Sequence, residues 1–330
     1  MSGVGEMCER LPGDQPLPES LRGGVVAIGN FDGVHRGHQA VLSRALDQAQ
    51  KQGVPALVLT FDPHPRKVFR PDLPLFVLTP PAMKAKLLSK LGFAAVVEQA
   101  FTREFSANSA ESFVNSILKA NLGISHAVTG FNFHFGKDRQ GGPAYLMDAG
   151  TRNGFGVTLV DAFRDEDACI VSSSRIRSLL SEGDVVQAAG LLGYRFTVQA
   201  EVVGGQKLGR TLGFPTANMR LPAETALKEG IYAVRFRRAD GTLHDAVASF
   251  GRRPTVDDNG APLLETFLFD FSGDLYGEVC DVSFFGYLRG EVKFDGLDPL
   301  VAQMKRDETE ARALLAGVRP LSELDAAIAF

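Results

Sequence analysis

A chain of 330 residues with a formal net charge of −4, 45% hydrophobic residues and 3 cysteines is long enough for two cores of about 150 to 180 residues each. The slight acidity excludes a broad basic face for nucleic acid, and three scattered cysteines exclude a disulfide framework and fit a reducing, cytoplasmic setting. No apolar run approaches the ~20 residues of a membrane span, so the expected partners are small molecules, without a membrane or an obligate protein partner.

Residues 1–21 hold Pro, Gly and acidic residues without an apolar signal core, and are expected to form a flexible arm. Val25-Val26-Ala27-Ile28 then reads as a central parallel strand, and Val41, Leu42, Ala45, Leu46 and Ala49 recur at helical spacing. Between them lies Gly29-Asn30-Phe31-Asp32-Gly33-Val34-His35-Arg36-Gly37-His38. A loop of this kind opens onto a helix N-terminus, where backbone N–H groups and the positive dipole end favour phosphate oxygens. Glycine lets the backbone come close. Gly29, Phe31, Asp32 and Gly33 are therefore phosphate-binding candidates.

His35 and His38, three residues apart, fall on one side of the first helical turn. Imidazole donors aimed at a transferring phosphoryl group stabilise the charge that builds on its oxygens. Two plainer readings compete: exposed helix-start histidines, or half of a zinc site. Zinc needs further ligands at suitable spacing, and Cys8, Cys169 and Cys280 form no pair motif. The run GNFDGVHRGH resembles the HxGH signature of the nucleotidyltransferase superfamily and is similar to its FAD synthetase branch. The resemblance implies attack by a phosphate on the α-phosphate of ATP, with AMP transferred and pyrophosphate released.

Strand candidates continue at 56–61, 94–97, 127–129 and 157–160, alternating with amphipathic helices, which predicts a parallel α/β sheet. Thr79 and Pro80 read as the cap and first residue of a helix whose Met83, Leu87 and Leu91 share a face before Gly92. Phe113, Ile117 and Leu118 form a similar stripe ending at Gly123, and helical character last shows over 174–193.

Three loops after strands supply further candidates, since ligands of open parallel sheets gather there. In Thr60-Phe61-Asp62-Pro63-His64-Pro65, prolines fix the backbone around His64. Gly130-Phe131-Asn132-Phe133-His134-Phe135-Gly136 mixes aromatics with the polar Asn132, and at least one of those phenylalanines is expected in the core. Ser172-Ser173-Ser174-Arg175-Ile176-Arg177 places hydroxyls at a helix start with a forked guanidinium one turn on. In order, these resemble the TFxPHP, NFxFG and SSTxIR motifs of bacterial FAD synthetases, with Ser174 at a position more often Thr. By that resemblance His35, His38, His64, Asn132, Ser173, Ser174 and Arg177 surround ATP and the FMN phosphate.

After Gly193 the period becomes two, with Phe196, Val198, Ala200 and Val202 in phase, then Tyr232, Val234 and Phe236, then Phe267, Phe269 and Phe271. Closely spaced strands with turn signals predict an antiparallel barrel, followed by one helix from Asp298-Pro299 to Gly317. The domains are thus expected at 22–185 and 186–330.

The glycine-rich run from Gly204 through Leu208, Gly209 and Arg210 to Phe214-Pro215-Thr216-Ala217-Asn218 offers phosphate-binding candidates that lead into an extended segment. There Thr216 and Asn218 project to one face, and their oxygens suit a magnesium ion that keeps waters and substrate phosphates. Such segments also make ordinary turns. Glu265 tips the balance: it shares strand phase with Phe267, Phe269 and Phe271. A carboxylate on an apolar face is costly to bury and suits a general base, unless it is a strand-edge residue reaching solvent.

GRTLGFPTAN followed by Glu265 resembles riboflavin kinase, and the two halves together resemble the bifunctional bacterial riboflavin kinase/FAD synthetase family. The resemblance spans about residues 22–316. It implies a Rossmann-like nucleotidyltransferase domain and a six-stranded barrel, with ATP and Mg2+ serving riboflavin phosphorylation to FMN and FMN adenylylation to FAD. It also implies that Thr216 and Asn218 hold magnesium, that Glu265 deprotonates the ribityl 5′-hydroxyl, and that Arg289 lies near the flavin. The runs 192–196 (LGYRF) and 248–251 (ASFG) depart from the family's usual LGRPY-like and ANIG-like runs. The alternatives are an adenylyltransferase with a flavin-sensing, non-catalytic barrel, and a cytidylyltransferase.

Overall fold

A computed structural model describes residues 8–204, 214–252 and 262–330. The chain divides into two compact units, Met1–Ser172 and Ser173–Phe330.

The first unit is a parallel sheet of six strands in the order β1-β4-β3-β2-β5-β6. These are β1 (Glu9–Pro12), β2 (Val25–Ile28), β3 (Ala56–Asp62), β4 (Ala95–Ala100), β5 (His126–Gly130) and β6 (Gly156–Val160). Every residue of β2 is buried, which is why it reads as an unbroken apolar run rather than an alternating one. The helices are α1 (Arg36–Gln52), α2 (Pro65–Phe69), α3 (Pro81–Leu91), α4 (Arg103–Ser106), α5 (Ala110–Ser112) and α6 (Pro143–Asn153). α5 runs on into wider π-type turns over Phe113–Asn121, whose Phe113, Val114, Ile117 and Leu118 are buried. From β2 the chain steps outward to β3 and β4, then returns to place β5 on the other side of β2. That reversal opens a crevice at the carboxyl ends of β2 and β5, the usual ligand site of such sheets.

Two expectations are corrected in this unit. The arm is not wholly loose: Glu9–Pro12 pairs in parallel with β4, and Arg10 forms a two-point ion pair with Glu98, both contacts at 2.9 Å. An edge strand of four residues with one large apolar side chain leaves no periodic signal to read. Thr79 is not the cap of α3 either; Pro80 takes that position without a side-chain cap bond, and Thr79 is used elsewhere, as described below.

The second unit begins with α7 (Ser173–Glu182) and α8 (Val185–Leu192), which pack on one another. The expected single helical stretch breaks at Gly183, whose φ of +86° favours glycine, and Asp184 caps α8 by accepting the Gln187 N–H at 2.9 Å. Both helices belong by compactness to the second unit, Ser173–Phe330.

A closed antiparallel barrel follows, in the order β10-β11-β8-β7-β12-β9. Its strands are β7 (Thr197–Val203), β8 (Thr216–Arg220), β9 (Gly230–Arg237), β10 (Leu243–Arg252), β11 (Pro262–Leu268) and β12 (Val279–Arg289). Closure leaves no unpaired edge. Helix α9 (Leu297–Gly317) covers one outer face, burying Ala311 and Leu315 in a cluster with Phe267, Phe269 and Phe285.

A further helix not expected from the sequence, α10 (Glu323–Ala329), is fastened by Arg195. The Arg195 N–H donates to Asp325 Oδ1 at 2.7 Å, its guanidinium meets Asp325 Oδ2 and donates to the Arg319 carbonyl at 3.1 Å. That guanidinium also lies over the rings of Phe285 and Phe330. The departing LGYRF run therefore supplies an anchor for α10.

Candidate active sites

The first candidate site is built at the carboxyl end of β2. His35 caps α1, its Nδ1 accepting the His38 N–H at 3.3 Å, which leaves the ring proton on Nε2. The two imidazoles stack with centroids 3.6 Å apart and planes 17° from parallel, and the Phe31 ring meets His38 edge-on at 5.4 Å. The sequence spacing thus brings both histidines together as expected. Burial first, then the neighbouring charges of His35 and Lys84, hold the His38 pKa well below the usual histidine range. Its Nδ1 is buried without a hydrogen-bond partner among the described residues, as is Asn30 Oδ1.

The loop into this site is strained. Phe31 and Val34 adopt φ of +48° and +40°, and Gly33 +87°; a β-branched residue there is a real outlier. Gly29 packs closely under Phe31: a Cβ there would sit 3.0 Å from the ring and need it to shift by a few tenths of an ångström. Asp32 is buried and accepts the Thr79 N–H at 3.1 Å, while the Gly33 N–H donates to Thr79 Oγ1 at 2.9 Å. Asp32 is thus a buried clasp for the loop. The sequence pattern marks Thr79 only as a helix cap and does not mark Lys84, because the loop partners of both lie about fifty residues away in the chain.

His64 follows β3 and Asn132 follows β5, the two strands flanking β2. His64 caps α2, its Nδ1 accepting the Arg66 N–H at 3.1 Å. Asn132 is exposed beside exposed Phe131, whereas Phe135 is buried, so at least one phenylalanine of that run is in the core as expected. Arg36, between the two histidines, pairs with Glu166 at 2.7 and 2.9 Å and lies over Phe163. Ser173, Ser174 and Arg177 lie on the first turns of α7, in the second unit.

The second candidate site lies on the barrel's outer face. Asn218 of β8 stands opposite Glu265 of β11, and Thr216 opposite Phe267, so Thr216, Asn218 and Glu265 project from one face. Glu265 also stands opposite Ser249 of β10, within the departing ASFG run. Glu265 shares its strand phase with Phe267 alone among the three expected phenylalanines, and that face is half-buried rather than core. Leu264, Thr266 and Leu268 point into the barrel, while Glu265 and Phe267 are half-buried on the other side; Phe269 and Phe271 lie past the end of β11.

Asn218 donates its Nδ2 to the Thr216 carbonyl at 3.1 Å, and its buried Oδ1 has no partner among the described residues. An orphaned amide oxygen beside a threonine and a carboxylate suits a hard cation. Arg289 is held by Asp307 of α9 through two contacts at 2.8 and 2.6 Å, and Gln303 donates to the same carboxylate at 2.8 Å. Gly204 is an exposed residue after β7, and Leu208, Gly209 and Arg210 lie outside the described residues.

Residues 17–175 match the family model described as FAD synthetase, and 192–315 the one described as riboflavin kinase. A bifunctional riboflavin kinase/FMN adenylyltransferase of Pseudomonas fluorescens is 41% identical over 295 residues, 89% of this chain and 94% of that one. Its namesake in Listeria monocytogenes is 39% identical over 297 residues, covering 88% and 92%, and that of Escherichia coli K12 is 36% identical over 298, covering 90% and 95%. A crystal structure from Streptococcus pneumoniae, described as a macrolide-efflux protein, superposes with a TM-score of 0.80 at 31% identity and covers 92% of this chain and 98% of that one. Among the described residues no helix is long and apolar enough to cross a membrane. With both family models matched in order and near-full-length relatives 39% and 41% identical, this chain belongs to the bifunctional riboflavin kinase/FMN adenylyltransferase family.

Proposed function

We propose that the two steps from riboflavin to FAD run at two separate sites, kinase chemistry within 186–330 and adenylyl transfer within 22–185. One observation carries the reading: each unit holds its own polar cluster, stacked His35 and His38 in the first and opposed Asn218 and Glu265 in the second.

In the barrel, Glu265 takes the proton from the ribityl 5′-hydroxyl, and the freed oxygen attacks the γ-phosphorus of ATP, releasing ADP and forming FMN. Thr216 and Asn218 would hold a magnesium ion, which when bound neutralises triphosphate charge. Arg289, fixed by Asp307 and donating to the Gly290 carbonyl, is the flavin-binding candidate by family resemblance.

In the first unit, an FMN phosphate oxygen attacks the α-phosphorus of a second ATP and pyrophosphate leaves. FMN is already anionic, so no general base is required. His35 and His38 supply imidazole N–H donors to the oxygens that gain charge, and Gly29, Phe31, Asp32 and Gly33 shape the loop that receives the phosphates. His64 and Asn132 flank it from neighbouring strands. Ser173, Ser174, Arg177, Gly204, Leu208, Gly209 and Arg210 are retained as phosphate-binding candidates on their residue chemistry and family resemblance.

The match to the riboflavin kinase model, with Thr216, Asn218 and Glu265 in place, argues against a barrel that merely senses flavin. An assay following riboflavin, FMN and FAD together with Mg-ATP tests the reading. Both conversions are expected; FAD formed from FMN but no FMN formed from riboflavin would favour the sensing barrel instead.

A further inference from the structure

Lys84 lies on α3, turned inward and only 7% exposed. Its Nζ donates to the Asn30 carbonyl at 2.8 Å and to Thr60 Oγ1 at 3.0 Å. The Thr60 hydroxyl in turn donates to the same Asn30 carbonyl at 3.0 Å. One ammonium thereby joins the β2–α1 loop to the end of β3.

Among the described residues no carboxylate lies within ion-pair distance of it, so a buried cation is held by neutral oxygens. Such an arrangement is costly, and a side chain of similar length without charge would fill the space more cheaply. Departures of this kind from simple packing are expected where function demands them. The loop it grips contains the strained Phe31 and Val34, conformations that persist only when the surroundings over-determine them. His35 follows Val34 directly.

We infer that Lys84 is a positioning residue for adenylyl transfer, fixing from α3 the loop that sets His35 and His38 against the nucleotide. Thr79, just before α3, supplies the second tether through Asp32 and Gly33. The inference rests on the reading that His35 and His38 serve adenylylation.

Lys84 also acts through charge. Burial lowers its own pKa while Asp32, Asp62 and Glu98 work to raise it. The charged and titratable groups facing this region are therefore Asp32 on the loop, Asp62 at the end of β3, Glu98 on β4, and His35 and His38 at the start of α1. The ammonium helps keep His38 neutral, after burial and His35.

The test is Lys84→Met in the full chain, with riboflavin phosphorylation as an internal control. FMN adenylylation is expected to lose about 10- to 100-fold in kcat with small changes in KM, as a misplaced reacting group does. Riboflavin phosphorylation should be unchanged. The acid limb of adenylylation should move to higher pH, because His38 loses a neighbouring positive charge; a purely structural lesion would lower the rate without moving that limb.

Thr60→Val removes one acceptor and Thr60→Ser keeps it, so the first should lose rate and the second retain it. This pair decides the matter if Lys84→Met does not fold. Normal kcat and an unmoved limb in Lys84→Met, or equal rates in the Thr60 pair, overturn the inference while His38→Ala remains inactive. Full adenylylation by His38→Ala removes the site reading, and the inference with it.

Discussion

Glu265 and Asn218 face one another across neighbouring antiparallel strands, so one outer face of the barrel carries both the Glu265 carboxylate and the Asn218 Oδ1, the latter buried without a partner among the described residues. The stacked His35 and His38 belong to the other unit. Glu265→Gln is expected to cut FMN formation by about 100- to 10,000-fold, the usual contribution of a general base, while supplied FMN is still converted to FAD. His38→Ala should do the reverse, at a cost of about 100-fold or more. Loss of both activities in either folded variant would contradict independent sites.

Asn218→Leu tests the cation reading. The substitution removes an orphaned Oδ1 along with one bond to the Thr216 carbonyl, two effects of opposite sign, so stability should change by no more than about 1 kcal/mol. The kinase step should slow and need more magnesium for half-maximal rate. A thermal melt paired with a magnesium titration measures both, and an unchanged magnesium requirement would remove Asn218 from the metal's ligands.

Asp325 is fully buried against Arg195, whose side chain is 11% exposed. Asp325→Ala leaves a guanidinium unpaired in the interior and should destabilise the second unit by about 3–5 kcal/mol. Replacing both partners with apolar residues should recover much of that loss. Urea unfolding of the single and double variants gives the comparison, with FMN adenylylation expected to persist in both.

His38 also predicts a pH dependence of stability. Folding lowers its pKa from an ordinary 6.5, through burial first and then His35 and Lys84. Below about 6.5 the unfolded chain therefore binds a proton that the folded chain resists. The stability of the first unit should be level above that value and fall as the pH drops beneath it. His38→Gln should show a shallower decline; the same slope in both proteins would exclude His38 as the source.

Local pattern was enough to place most elements, because the signals that mark them are short-range. The apolar run of β2, the stripe of α1, the change of period after Gly193 and the HxGH spacing all depend on neighbours within a few residues, and the shared face of Thr216 and Asn218 follows from strand alternation, whereas their register with Glu265 does not. What the sequence could not supply was set by contacts between distant segments. The pairing of Glu9–Pro12 with β4 left no periodicity to detect. Whether the Glu265 face pointed into the barrel or outward depended on which side closure enclosed. The tasks of Thr79, Lys84 and Arg195 exist only because folding carries each to a partner far away in the chain, where burial makes an unmatched polar group costly and a matched one decisive.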